Sequence, residues 1–311
     1  MNTMISPALM IAGCLTASTV LAEGKPELIV LAPDHFASEW GPGARIESGF
    51  ESRCGCNLRF VTGDLLSRLR LDGGAGADAV IGLSTDQTAA TRATGLFAPD
   101  GPGLSVLTLP VAWTDLDFVA FNRGETAFVY DRTRLSDPPE SFRALIDAPD
   151  ELKIVIQAPR TSAPGLALAL WIDAIYDDGA VEVWRKLRPK ILTVTPGWSE
   201  SRSLFTAGDA DMVMSCTTSP AYHLIAEKDD TRRAAILPEG HYFMAEPVGW
   251  LRSADQPELA GQFMDHVLSE DFRKMIPTAN WTYPAVMVEG ALAPESAAHA
   301  RPEKTLFLPK A

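Results

Sequence analysis

The stretch QAPRTSAPGLALALW, residues 157–171, places hydroxyl side chains at the beginning of an apolar helix. An extended run, KIVI, ends at Gln157, and a helical pattern follows from about Gly165. Ser162 stands at the N-cap position, and Pro164 falls in the first turn, where its missing N–H costs nothing. Because free N–H groups and the helix dipole attract anions, the stretch predicts an anion site at Ser162. The alternative is that Ser162 only caps the helix.

A second group of candidate residues is aromatic and lies in polar loops rather than in apolar runs. Trp198 occurs in TPGWSES and Trp281 in PTANWTYP, and Trp40 and Tyr222 also flank predicted strand ends or helix starts. A tryptophan face stabilises a cation by roughly 0.5–2 kcal/mol, most strongly where water is excluded. One such residue could be chance packing, but several in neighbouring loops predict a site for a flat, cationic ligand.

The sequence offers little that indicates catalysis. It contains no H-E-x-x-H, no G-x-S-x-G and no P-loop pattern, and GPGARIE lacks the third glycine of a dinucleotide fingerprint. His223, His241 and His266 are scattered and are typical of structural histidines. A Ser/His/Asp hydrolase is kept as an alternative from residue types alone, although no motif positions one. We therefore expect a protein that is not an enzyme.

The net charge excludes one class of partner. The 311 residues include 27 basic and 40 acidic side chains, a formal charge of −13, and no stripe dense in Lys or Arg offsets it. Such a field disfavours nucleic acid and tolerates a small cation. With 46% hydrophobic and 22% charged residues, the composition is typical of a globular chain of two domains or one large one.

The amino-terminal 22 residues carry no charged side chain and end in VLA. This pattern predicts an export signal, residues 1–22, cleaved after Ala22. The alternative is a lipoprotein anchored at Cys14, since IAGC resembles a bacterial lipobox. In an oxidising compartment, Cys54 and Cys56 favour a local disulfide over a metal site, because two further ligands are lacking nearby.

Alternating strand and helix patterns predict an α/β fold. ELIVLA (27–32), NLRFVT (57–62) and ADAVIGL (77–83) read as strands, with helices at 44–53 and 64–71 between them. A second unit of similar size runs from KIVIQ to ADMVMS. LDFVAFN and TAFVYD are expected as a close pair of strands that bends at Gly124.

Two α/β units joined by two extended crossings predict a two-lobed protein with a ligand cleft between the lobes. We expect hinges near 122–126 and 241–246. Lobe 1 would comprise residues 23–122 and 246–311, and lobe 2 residues 123–245. Four loops that follow strands would surround the cleft: APDHFASEW, APRTSAPG, TVTPGWSE and SCTTSPAYH.

Several runs together resemble a known family. They include HFASEWGPG, CGCNLRF, QAPRTSAPGLALALW, TVTPGWSES, TTSPAYH, EGHY and IPTANWTYP, in order from about Leu28 to Pro284. The sequence resembles the periplasmic thiamine-binding proteins of bacterial ABC importers. The resemblance implies the two-lobed type II periplasmic-binding-protein fold and a monomer without a cofactor. It also implies delivery of thiamine, or its mono- and diphosphates, to a membrane permease and its ATPase.

The resemblance also implies roles for individual residues. Ser162 would receive the phosphate or hydroxyethyl end of the ligand. Trp198 would flank the thiazolium ring or its tail. Trp281 and Tyr222 would pack on or bond the aminopyrimidine, and Trp40 would line the same cleft.

The loop VTGDLL is shorter than the family's, and Gly63 and Asp64 would bond the pyrimidine from it. Elsewhere the chain departs from the family pattern. Pro33 and Cys216 stand where an aromatic residue and a tyrosine are usual, and a tyrosine expected near Arg123 is missing. An arginine facing the cleft would favour a phosphorylated or acidic ligand. The alternative to a thiamine binder is thus a diverged solute-binding protein for a pyrimidine precursor or an organic phosphate.

Overall fold

The structure is a computed structural model that describes residues 24–99, 107–294 and 301–308. The expected signal segment, its cleavage after Ala22 and the lipobox at Cys14 lie outside these residues. Across the described ranges, no helix combines the length and the apolar character needed to cross a bilayer.

The first α/β unit contains three parallel strands, as the sequence predicts. Its strands are β1 (Glu27–Ala32), β2 (Asn57–Thr62) and β3 (Ala79–Ile81), and its helices are α1 (Gly43–Cys54), α2 (Leu65–Asp72) and α3 (Thr88–Arg92). β1 lies between β2 and β3 and is parallel to both. Their carboxyl ends therefore meet at one edge of the sheet.

The next elements begin with the connecting strand β4 and form the second unit. They are β4 (Val119–Asp131), α4 (Phe142–Asp147), β5 (Ile154–Gln157), α5 (Ala163–Tyr176), α6 (Ala180–Leu187), β6 (Ile191–Thr195), α7 (Trp198–Ala207), β7 (Met212–Cys216), α8 (Ser219–Ala226) and β8 (Arg232–Ala234). The chain then returns through β9 (His241–Trp250), α9 (Pro257–Val267), α10 (Glu270–Ala279), β10 (Tyr283–Pro284) and β11 (Thr305–Leu306). β5 pairs in parallel with both β6 and β7.

The long strands β4 and β9 connect the two units. The strand order is β2-β1-β3-β9-β4-β7-β5-β6, so β4 and β9 lie side by side at the centre. The first half of β4 pairs with β9, and the second half pairs with β7. The expected pair of strands around Gly124 is wrong, because residues 119–131 form one continuous strand. Residues 119–125 pair with β9 and residues 126–130 with β7, and this continuous pairing keeps the strand extended.

Each unit has its own buried core. Phe50, Phe121 and Phe263 belong to one cluster, whereas Phe128 and Trp171 belong to another. The two-lobed α/β architecture predicted from the sequence is therefore confirmed. The predicted lobe boundaries fall within β4 and β9 and stay a prediction.

The Cys-Gly-Cys motif closes a local disulfide between Cys54 and Cys56, as the spacing predicts. Gly55, between them, has a φ of 64°, a left-handed conformation that suits glycine. The bond joins the end of α1 to the beginning of β2. It leaves Cys216 as a free thiol in β7.

Candidate functional site

A cleft lies where the carboxyl ends of the parallel strands of the two units face each other. The four loops predicted from the sequence all contribute to it, through residues that include Trp40, Ser162, Trp198 and Tyr222. The seven candidate ligand-binding residues all line this one cleft: Trp40, Gly63, Asp64, Ser162, Trp198, Tyr222 and Trp281. Their contact with a ligand stays a prediction.

Ser162 begins α5 but does not cap it through its side chain. Its backbone is extended (φ −134°, ψ 129°), as an N-cap requires, yet its hydroxyl makes no hydrogen bond to the helix. A Cβ on Gly165 would lie 2.4 Å from the carbonyl oxygen of Gln157, so only glycine lets the first turn approach β5 this closely. The buried Ser162 hydroxyl therefore lies at the cleft without a bond to the helix, beside the amide of Ala163 in the first turn, where N–H groups have no partner within the helix.

Thr161, the neighbouring hydroxyl, has a different role. Its Oγ1 donates to the carbonyl oxygen of Pro196 at 2.6 Å, which joins the loop before α5 to the loop before α7. The Thr161 hydroxyl is therefore already engaged as a donor within the protein. Thr161 holds the two loops together.

Trp198 is the first residue of α7, which is capped by Gly197 without a side-chain hydrogen bond. Its indole N–H donates to the Oγ atom of Ser215 at 3.1 Å, and Ser215 in turn lies 2.6 Å from the Oγ atom of Ser219. These bonds fix the plane of the indole ring. A rigid aromatic face is thereby presented at one side of the cleft.

Aromatic rings meet across the cleft in two pairs. The ring centroids of Trp40 and Trp198 are 4.8 Å apart, and those of Tyr222 and Trp281 are 4.9 Å apart in an edge-to-face arrangement. The indole N–H of Trp281 donates to the carbonyl oxygen of Trp40 at 3.0 Å. Trp281 has a φ of 57°, which is unusual for a bulky residue and marks a strained position, a feature that clusters at binding sites.

Arg202 makes cation–π contacts with two of these rings but does not line the cleft. Its guanidinium lies 4.6 Å from the ring centroid of Tyr222 and 5.9 Å from that of Trp40, and it pairs with Glu227. Glu227 also contacts Nδ1 of His223 at 2.6 Å. Although burial raises the pKa of Glu227, the His223 and Arg202 contacts lower it below the usual value. The carboxylate is therefore charged and orders this wall of the cleft.

Gly63 and Asp64 lie at the cleft end of β2. The carboxylate of Asp64 caps α2, accepting from the Ser67 amide at 3.2 Å and from its hydroxyl at 2.7 Å. Gly63 has a φ of 155°, and its amide donates to the carbonyl oxygen of Ala32. The side chain of Asp64 is thus occupied by its own helix, and the pair reaches the cleft from the turn that follows β2.

The three positions at which the chain departs from the family pattern do not all lie in the cleft. Pro33 and Cys216 line the cleft, but Arg123 does not. Side chains alternate along β4, so Asn122 and Gly124 face the cleft while Arg123 points away. Arg123 donates to Glu125 at 3.2 Å, so the condition for favouring an acidic ligand is not met. Burial raises the pKa of the Cys216 thiol to about 12, which makes it a neutral group.

Sequence reasoning missed a polar cluster at the floor of the cleft. Glu246 on β9 accepts from the side-chain amides of Asn122 and Asn280, and His35 lies within 4.0 Å of it. A charged residue inside the apolar strand FMAEPVGWL was a signal that could have revealed it. Among the described residues, the cleft lining includes three carboxylates, those of Asp34, Asp64 and Glu246, and neither Lys nor Arg.

Comparison with known proteins places the chain in a family. The model of bacterial extracellular solute-binding proteins matches residues 36–274. The thiamine-binding periplasmic protein of Escherichia coli (strain K12) is 43% identical over 269 residues, which cover 85% of this chain and 82% of that protein. The protein of the same name from Haemophilus influenzae is 36% identical, covering 90% and 86% of the two chains.

Solved structures agree in fold. A periplasmic thiamin binding protein matches with a TM-score of 0.87 and 42% identity, covering 91% of this chain and 90% of that one. The periplasmic binding protein AfuA from Actinobacillus pleuropneumoniae, only 17% identical, matches with a TM-score of 0.75 over 88% of each chain and shows the shared fold alone. The chain therefore belongs to the bacterial extracellular solute-binding protein family and has its two-lobed type II fold.

Proposed function

We propose that this protein binds thiamine, or its mono- and diphosphates, and delivers it to the permease and ATPase of a bacterial ABC importer. The observation that carries the proposal is the cleft itself, in which aromatic faces, carboxylates and an uncapped helix N-terminus come together. Relatives at 36–43% identity are named thiamine-binding periplasmic proteins. The fold and the chemistry of the cleft support the same ligand class.

Each part of thiamine has a suitable counterpart in the cleft. The cationic thiazolium suits the face of Trp198, with Trp40 beside it. The flat aminopyrimidine suits Trp281 and Tyr222. The hydroxyethyl end, or a phosphate on it, suits the hydroxyl of Ser162 and the first amides of α5.

Gly63 and Asp64 border the same space, at the turn that follows β2. We assign this turn to the pyrimidine, through backbone groups rather than through the carboxylate that caps α2.

Binding would proceed by closure of the two lobes about β4 and β9. Cross-cleft contacts give the closed form specific partners: the hydroxyl of Ser199 lies 3.4 Å from the Asp34 carboxylate, and Trp40 packs on Trp198. The closed monomer would then dock on the permease and release its ligand unchanged, without acting as an enzyme. A net charge of −13 fits a small cationic ligand and disfavours nucleic acid.

We assign the protein to the periplasm, where its named relatives are found. Cleavage after Ala22 predicts a mature chain that begins at Glu23. A lipoprotein would instead begin at a lipidated Cys14. The mass of the amino-terminal peptide from the native host distinguishes the two.

Titration of tryptophan fluorescence tests the function. Purified mature protein is unfolded and refolded to remove bound vitamin, then titrated with thiamine, thiamine monophosphate and thiamine diphosphate. We expect saturable, one-to-one quenching without formation of a product. No response to any of the three would contradict the proposal and favour a diverged binder of another small ligand, and turnover of the ligand would indicate a hydrolase.

The Ser162→Ala variant separates ligand binding from helix capping. Because the hydroxyl makes no bond to α5, we expect a free energy of unfolding within about 0.5 kcal/mol of the wild type. The affinity for thiamine monophosphate should fall about tenfold, as for loss of one hydrogen bond to a charged group. Both quantities are measured by denaturant unfolding and by fluorescence titration.

Ser269→Ala is the matched control, since the Ser269 hydroxyl does cap α10 by accepting from the Phe272 amide at 3.3 Å. It should lose about 1 kcal/mol of stability and keep its affinity for thiamine monophosphate. A Ser162→Ala variant that behaves like this control would show that Ser162 is only a structural cap.

A further inference from the structure

Glu246 occupies an unusual place at the floor of the cleft. Its side chain is 15% exposed, and it lies on the crossing strand β9. Oε2 accepts from the Asn280 amide at 2.8 Å and also from the Asn122 amide. Oε1 lies 4.0 Å from Nε2 of His35. One carboxylate oxygen is therefore held by two amides, while the other lies beside a cleft residue.

The two asparagines position this carboxylate without neutralising it. Asn122 uses both ends of its amide, since its Oδ1 also accepts from the Glu246 backbone N–H at 3.1 Å. His35, beside the carboxylate, stacks on Trp40 with ring centroids 6.1 Å apart, and Trp40 packs against Trp198, so the charge lies near the aromatic residues assigned to the cationic ring. Amide donors orient a carboxylate but add no positive charge. Glu246 is thus a fixed acceptor, and neither asparagine supplies a charge to balance it.

The cleft lining described here includes no Lys or Arg. The nearby Arg123 points away and pairs with Glu125. His35 carries a charge only when it is protonated. Withdrawing a carboxylate from water is unfavourable without a compensating charge, and the described cleft lining supplies no permanent one.

We propose that Glu246 is the counter-charge of the ligand's cationic ring and the residue that selects a cationic ligand over a neutral one of the same shape. This inference rests on the proposed function and assigns the ligand's positive charge a partner. The aromatic faces would bind any flat ring with a modest preference for a cation, whereas the carboxylate supplies a full opposite charge. Glu246 would therefore determine specificity rather than overall affinity for flat ligands.

The test compares thiamine with its neutral isostere, in which the positively charged ring nitrogen is replaced by carbon. Affinities are measured by calorimetry for the wild type and for Glu246→Gln. We expect the wild type to prefer thiamine by at least about tenfold. The variant should lose most of this preference, keeping only the part that the aromatic faces supply, and should bind the neutral isostere within about twofold of the wild type. Glu258→Gln, the same change at an exposed position of α9, should behave as the wild type.

Each other outcome has a definite meaning. An equal loss for both ligands, or an unchanged preference in Glu246→Gln, would overturn the inference while the proposed function stands. Wild-type protein that binds neither ligand would contradict the proposed function itself. A thermal melt checks the fold of the variant, whose Gln oxygen can still accept both asparagine amides. Should it not fold, equal wild-type affinities for the two ligands would still overturn the inference.

Discussion

Replacing Trp198 by alanine is expected to weaken thiamine binding by about 100-fold without unfolding the protein. The substitution removes the aromatic face next to Trp40 and the ordered contact with Ser215. Loss of a desolvated cation–π contact is worth up to about 2 kcal/mol, and loss of packing area adds to it. Since about 1.4 kcal/mol corresponds to a tenfold change in affinity, a 100-fold loss follows. Isothermal titration calorimetry with thiamine measures it.

Two control variants make this result specific. Trp198→Phe keeps an aromatic face but loses the indole donor to Ser215, so we expect a loss of about tenfold. Trp184→Ala removes a half-buried tryptophan on α6 that does not line the cleft, and its affinity should equal that of the wild type. An affinity for thiamine that is unchanged in Trp198→Ala would contradict the assignment of this side chain to the ligand.

The protein is expected to lose stability in acid through His266. This buried side chain packs against Phe50 and Phe272, and neither ring nitrogen has a hydrogen-bond partner. Burial, with help from the charge of Arg53, lowers its pKa from 6.5 to about 4. Between those two pH values the unfolded chain binds a proton that the folded chain does not. The free energy of unfolding therefore falls as the pH drops through this window.

The size of the effect follows from the difference in pKa. The full value would be about 3 kcal/mol, and allowing for screening by water we expect about 2 kcal/mol. Urea unfolding of the wild type and of His266→Leu at pH 7, 6, 5 and 4.5 measures it. The leucine variant should be at least as stable at pH 7 and should lose less stability in acid. Parallel pH profiles for the two proteins would rule out this role for His266.

The local parts of the site could be predicted from sequence because they depend on residues close together in the chain. The cap position of Ser162, the position of Trp198 just after a strand, at the beginning of α7, and the Cys54–Cys56 bond each depend on a short motif. The motif at Ser162 fits two roles, however. Only the path of the backbone, which leaves the hydroxyl unbonded to α5, distinguishes an uncapped helix from a capped one.

The parts that could not be predicted depend on pairing between distant strands. Glu246 meets Asn122 because β9 lies beside β4, and it meets Asn280 because α10 ends at the same place. The direction of Arg123 required knowing that β4 continues through Gly124 rather than bending there. Once the strand is continuous, simple alternation turns Arg123 away from the cleft.

The structure of the protein with bound thiamine, determined by crystallography after unfolding and refolding to remove bound vitamin, tests the central claim most directly. We expect one thiamine between the lobes, with its cationic ring at Trp198, its pyrimidine at Trp281 and Tyr222, and its hydroxyethyl end towards Ser162. A cleft that stays empty at saturating thiamine, or a thiamine bound elsewhere on the protein, would contradict the account.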